Sequence, residues 1–167
     1  GHVGVRLPDN HGIAVKLLRV AQENKDEDWM MEFDFEGNKL SGTGTVPGEA
    51  SIYTQIFKAK PEVNSIVHAH APMCIVMGIA HLKISAIHLQ SSRFGEGLPV
   101  YPLPIYVSNS EDGEALVDTI GVAPGMTING HGMVTVGRSI DEATMNAVYM
   151  ERTAKMEHAA RQMGFEG

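Results

Sequence analysis

Asn64-Ser65-Ile66-Val67-His68-Ala69-His70 is a short apolar alternation that ends in two histidines, and Ala71 to Ala80 beyond it is apolar almost throughout. On a strand, residues two apart point to the same face, so His68 and His70 share one. Neutral imidazole is the commonest metal ligand, and two on one face can chelate one ion. The pair reads equally as surface or core histidines that happen to alternate. The apolar run that follows suits a small buried helix better than a second strand of that length.

Working outward, Glu49 to Lys60 changes to helical spacing, with Ile52 and Ile56 on one stripe, Tyr53 and Phe57 beside it, and Pro61 as the stop. Before it, Val3 to Leu7, Ile13 to Leu17 and Met30 to Phe35 read as strands, the last closed by the turn Glu36-Gly37-Asn38, with a loop from Ser41 to Gly48. On the other side, Leu98 to Val107 carries Pro99, Pro102 and Pro104, so a strand there must lie at an edge or be interrupted. Ser110 with Glu111 and Asp112 reads as a helix start, Leu116 and Ile120 as its buried face, and Gly121 as its end. Met126 to Ile128 and Met133 to Val136 read as strands around the turn Asn129-Gly130-His131-Gly132. Ser139-Ile140-Asp141-Glu142 is a capping box that launches the longest helix, with Ala143, Ala147, Met150 and Ala154 on one face. This order predicts one α/β domain over residues 1–167, a layered α/β/α sandwich with several antiparallel strand connections.

The 167 residues, 43% hydrophobic and 20% charged, suffice for one well-packed core. Thirteen Lys and Arg against twenty Asp and Glu give a net charge of −7, which argues against nucleic acid or an anionic membrane as partner. No apolar run approaches the ~20 residues that cross a bilayer. The single cysteine, Cys74, lies in an apolar run and reads as a buried structural thiol in a reducing, cytoplasmic setting. Gly1-His2-Val3-Gly4-Val5-Arg6 reads like the inside of a strand, so a preceding helical segment is expected to be missing.

Two further residues could extend the histidine pair. His131 sits between glycines at a tight turn that leaves its imidazole accessible, and it reads as a third ligand or as a turn histidine without a partner. Glu49 heads a helix, where the dipole favours any carboxylate, so it reads as helix-stabilising or as functional. Three His and one Glu around an ion would make a catalytic centre, because structural sites are closed and usually use Cys.

Glu49-Ala50-Ser51-Ile52-Tyr53, Lys60-Pro61-Glu62-Val63, Val67-His68-Ala69-His70 and Asn129-Gly130-His131-Gly132 with Val136-Gly137 together resemble the class II aldolase and adducin head domain family, across essentially the whole chain. The resemblance implies a class II aldolase-like α/β/α sandwich on a mostly antiparallel mixed sheet, a homotetramer, and one divalent metal ion per chain. Its ligands would be His68, His70 and His131, with Glu49 as acid/base and as a group able to approach the metal. Zinc comes first as that ion, and manganese, cobalt or iron would also bind three imidazoles.

Sugar phosphate members of the family usually carry a Ser pair before the acid and Gly-Asn near the first strand, where this chain has Pro47-Gly48 and Gly1-His2; the tyrosine after Ile87-His88 is replaced by Leu89. Pro47 lacks an N–H and Gly48 a hydroxyl, so donors to a phosphate are gone. Arg93, His2 and Ser92 are candidate contacts to a carboxylate substrate, Arg93 through a bidentate pair. The expectation is a metal-dependent carbon–carbon lyase, a decarboxylase of a hydroxylated aromatic, heteroaromatic or keto acid ahead of an aldolase. A non-catalytic adducin-like module and an iron-dependent oxygenase are the alternatives.

Overall fold

The computed structural model describes residues 1–16, 30–42 and 45–166. Among the described residues eight strands form one sheet: β1 (His2–Arg6), β2 (Ile13–Lys16), β3 (Met30–Phe33), β4 (Lys39–Ser41), β5 (Ser65–Ala69), β6 (Val100–Tyr101), β7 (Gly125–Ile128) and β8 (Gly132–Gly137). Their order is β4-β3-β2-β1-β5-β8-β7-β6, antiparallel throughout except for the parallel β6–β7 pair. Four described α-helices cover it: α1 (Ala50–Ala59), α2 (Pro72–Ile79), α3 (Ser110–Ile120) and α4 (Ile140–Gln162).

Strand alternation sorts the core into two layers. Ile13, Val15, Phe33, Ile66, Met126 and Val134 face α1 and α3, meeting Ile52, Tyr53, Ile56, Leu116 and Ile120. Val67 and Met133 face the opposite way and meet Cys74 and Met77 of α2 with Ala143, Ala147, Met150 and Ala154 of α4. The α/β/α sandwich expected from the element order is therefore what forms. Cys74 is fully buried, and burial pushes its thiol well above the usual range, so it packs as a small apolar residue.

Several local expectations are adjusted. The strand expected to Leu17 runs to Lys16, and Leu17 lies outside the described residues. The strand expected to Phe35 stops at Phe33, because the Asp34 carboxylate takes the Glu36 and Asn38 N–H groups and closes the turn early. β4 occupies part of what reads as a loop; three exposed residues give too little alternation to signal a strand. The proline-rich stretch supplies only Val100–Tyr101, at the sheet edge, as its missing N–H groups require. Asn109, not Ser110, caps α3 by accepting from Asp112 N–H at 2.9 Å. Ser139 caps α4 as expected, whereas Glu142 accepts from Arg138 N–H at 2.7 Å instead of closing the box on Ser139.

Arg6 ties β1 to the end of α1. Its guanidinium donates to the Phe57 and Lys60 carbonyls at 2.8 and 3.0 Å, carbonyls at the helix terminus that no intrahelical N–H can reach. This fixes α1 against the strands and so fixes where its first residue points.

Candidate metal centre

β5 carries His68 inward on the α1 face, opposite Val134 of β8 and opposite His2 of β1. The His68 Nδ1–H donates to the Met133 carbonyl at 3.0 Å, which turns Nε2 toward the head of α1. His70 follows one pleat later, its Nε2 3.2 Å from that of His68. His131 enters from the β7–β8 turn, and the three ring centroids stand 4.9 to 5.1 Å apart.

Glu49 completes the group. It is the N-cap residue of α1, but its side chain makes no capping bond; Oε1 lies 3.2 Å from His131 Nε2 and Oε2 3.5 Å from His68 Nε2. The Glu49 side chain thus does not cap α1 but turns to the imidazoles. The four ligating atoms all lie within 4.8 Å of one another.

The donor set fits a divalent cation. A tetrahedral sphere with bonds of about 2.0–2.1 Å places neighbouring ligand atoms about 3.3 Å apart, close to the spacings here. Glu49 is 5% exposed, yet its Oε1 accepts no hydrogen bond, an arrangement that leaves a buried anion to be compensated by a cation. Burial lowers the imidazole pKa of His70 and, despite the opposing pull of Glu49, that of His131, so both rings keep lone pairs free at neutral pH. Burial alone would raise the Glu49 carboxyl, but the surrounding His68, His131 and His70 rings outweigh it and hold it below its ordinary value.

His2 belongs to the same surroundings. It faces His68 across the β1–β5 ladder, burial lowers its pKa, and its Nδ1 is buried without a partner. Ser92 and Arg93 do not reach the cluster within the chain. They sit in the 3-10 segment Leu89–Phe94, which packs with α4 in the other layer: Ser92 Oγ donates to the Leu89 carbonyl at 2.7 Å, and the Arg93 guanidinium lies 5.9 Å from the Tyr149 ring centre. His88 bonds locally to Gln90 and across to Thr153 of α4.

Three contributors escape a reading by residue type. The Met133 carbonyl sets the His68 tautomer, and a backbone atom leaves no mark in sequence. Gly132 leaves room for the centre, since a Cβ there would stand 2.5 Å from the Ala69 oxygen and 3.1 Å from His70 Cδ2. Tyr106, 60% exposed, lines an open groove of about 380 Å³ together with Pro104, Ile105 and Ile75, and the floor of that groove is His70 and His131.

A mostly antiparallel α/β/α sandwich that brings three imidazoles and a buried carboxylate together beside an open groove is an arrangement that could hold a divalent metal next to a small molecule. The chain belongs to the Class II Aldolase and Adducin N-terminal domain family, whose model matches residues 1–158. It is 26% identical over 168 aligned positions to the 3,4-dihydroxyphthalate decarboxylase of Arthrobacter keyseri, covering 92% of this chain and 67% of that protein. It is 24% identical over 124 positions to the enzyme of the same name from Rhodococcus jostii (strain RHA1), covering 71% of this chain and 51% of that one. Among solved structures, an L-fuculose 1-phosphate aldolase superposes with a TM-score of 0.84 at 16% identity over 99% of this chain and 78% of its own. Another from Glaciozyma antarctica PI12 gives 0.80 at 21% identity over 98% and 65%. At such identities these likenesses establish the fold.

Proposed function

We propose that the chain is a divalent-metal-dependent carbon–carbon lyase that decarboxylates a hydroxylated aromatic or heteroaromatic acid. The observation that carries this reading is the cluster of Glu49, His68, His70 and His131, in which Glu49 and His68 are buried while His70 and His131 line a largely apolar groove. The names of the relatives point the same way, since decarboxylases and aldolases both break a carbon–carbon bond next to an oxygen-bearing centre. These side chains would hold a divalent ion, which would supply Lewis-acid stabilisation of negative charge beside the reacting carbon. Zinc is the first candidate and manganese, cobalt or iron the next, because neutral imidazoles accept all four.

The residues of the chain do the remaining work. Glu49, held below its ordinary pKa, is ionised at neutral pH; it takes the proton of a substrate hydroxyl and returns it to the carbon that lost carbon dioxide. His2, kept neutral by burial, offers a ring nitrogen to the substrate carboxylate. Ser92 and Arg93, on the other layer, contact that carboxylate from a neighbouring copy in a homotetramer. Leu89 at 83% exposure and Ile79 at 59%, on that same side, support such an association. A cytoplasmic location accords with the single buried thiol and with the fact that no described helix is long and apolar enough to cross a membrane.

The test is metal analysis of protein purified without chelator, paired with carbon dioxide release from 3,4-dihydroxyphthalate. The expected outcome is about one metal per chain and one carbon dioxide per substrate consumed. Glu49→Gln, with its three imidazoles intact, should keep the metal and turn over roughly a hundredfold more slowly or worse. Metal without carbon dioxide would redirect the reading to aldol cleavage, and a metal-free protein would leave a non-catalytic module.

A further inference from the structure

Gly48, immediately before Glu49, is not among the residues with positive φ, so the backbone does not demand glycine there. What does is Tyr106: a Cβ at position 48 would collide with the phenol oxygen and stand 3.1 Å from Cζ and 3.3 Å from Cε1. The tyrosine hydroxyl is thus seated on the backbone that presents the acid. Its ring, 60% exposed, forms one wall of the groove above His70 and His131.

The segment carrying Tyr106 is held on both sides. Asn129 donates its side-chain amide to the Pro102 carbonyl at 2.8 Å, and Val107 is fully buried. Between those anchors Leu103 and Tyr106 are the large side chains left exposed, and of the two Tyr106 lines the groove. A large aromatic surface left in water beside the imidazole cluster, with its hydroxyl packed against a glycine, is already uncovered when a ligand arrives, so no burial has to be undone for binding. A flat ring lying on it would gain offset-stacked or edge-to-face contact, whereas an aliphatic chelator would gain little.

We propose that Tyr106, whose hydroxyl occupies the space left by the missing Cβ of Gly48, is the specificity-determining residue that makes this groove select planar aromatic ligands bearing oxygen chelators over aliphatic ones. This deepens the decarboxylase reading and rests on it for the substrate class. The ring does the selecting, and Gly48 leaves room for the ring.

The experiment titrates 4-nitrocatechol, a chromophoric planar chelator, and acetohydroxamate, an aliphatic one, into zinc-equilibrated protein, the first by absorbance and the second by calorimetry. Tyr106→Leu should weaken 4-nitrocatechol roughly three- to tenfold and leave acetohydroxamate unchanged, with Tyr106→Phe close to wild type. Gly48→Ala, which dislodges the ring, should weaken 4-nitrocatechol by a similar factor alone and have no further effect in the Tyr106→Leu background. Both sites are exposed, and an unchanged melting temperature verifies that the variants fold. Equal weakening of both probes, unaltered 4-nitrocatechol binding in Tyr106→Leu, or full additivity of the two substitutions would overturn the proposal. Because these readouts are binding constants, selective binding without carbon dioxide release would sink decarboxylation while leaving the role of Tyr106 standing.

Discussion

Glu49 and Glu157 are both buried carboxylates, one on each side of the sheet, and their surroundings could hardly differ more. Glu157, fully buried on α4, accepts from Ser85 N–H at 2.8 Å, from Ser85 Oγ at 3.0 Å and from Arg161 Nη2 at 2.7 Å. Its charge and lone pairs are answered by the protein, and it stitches the segment after α2 to α4. Glu49 faces imidazole nitrogens instead of N–H donors of the backbone, and one of its oxygens accepts nothing. A carboxylate left short of donors in one layer, when the opposite layer satisfies its counterpart so fully, is the one to test for a ligand from outside. Burial alone separates structure from function poorly; the count of donors separates them well.

The comparison breaks most visibly if the cluster is emptied. His70→Ala removes an exposed ring that packs against little, so the fold should hold while metal content falls from about one per chain to near zero. Elemental analysis with circular dichroism checks both halves. Retention of metal at the wild-type level would show that His70 is a bystander and that Glu49 has some other counterpart.

A subtler strike leaves every ligand in place. Gly132→Ala puts a methyl against the Ala69 carbonyl and the His70 ring, so the β5–β8 pair or the imidazole must shift. Supporting positions of this kind typically cost ten- to a hundredfold in metal affinity, and roughly that loss is expected in a competition titration against a chromophoric chelator. Unchanged affinity would mean that the centre tolerates displacement of His70, contrary to the tight spacing of its donors.

Much of this was legible before any coordinates, and the reasons are physical. The strand that carries His68 is legible from its two-residue period, although β5 stops at Ala69 and His70 lies just beyond it, and Ser139 declares itself through the local chemistry of a helix start. Glu49 stayed ambiguous because a first-turn carboxylate looks the same whether it answers the helix dipole or leans across to a neighbouring strand; only the packing of α1 on β5 decides that. Asn109 against Ser110 at the α3 cap is a one-residue matter of φ and ψ, below what side-chain type resolves. The contact of Tyr106 with Gly48 joins segments remote in sequence, one of which is broken by prolines that obscure any period. Its single trace was a glycine at a position that needs none for its backbone.

The finest separation between the two layers concerns Glu157 itself. Glu157→Gln keeps the shape but replaces one acceptor oxygen by an amide that cannot take the Ser85 or Arg161 hydrogens, and it removes the charge opposite a guanidinium that is 26% exposed. Solvent at Arg161 softens the electrostatic part, so the expected cost is about 1–2 kcal/mol, dominated by hydrogen bonds to a charged group. In a domain of this size that lowers the melting temperature by roughly 2–4 °C for each kcal/mol. Metal affinity and the 4-nitrocatechol constant should stay at wild-type values, since the sheet stands between Glu157 and the cluster. Should metal binding weaken in step with the melting temperature, the α4 layer would be coupled to the centre. The route lies open through Glu151, which accepts from the Met73 and Cys74 N–H groups at 3.0–3.2 Å and so holds the start of α2, just beyond His70. A stability loss confined to the melting curve would instead establish that the satisfied carboxylate serves the fold and the unsatisfied one serves the chemistry.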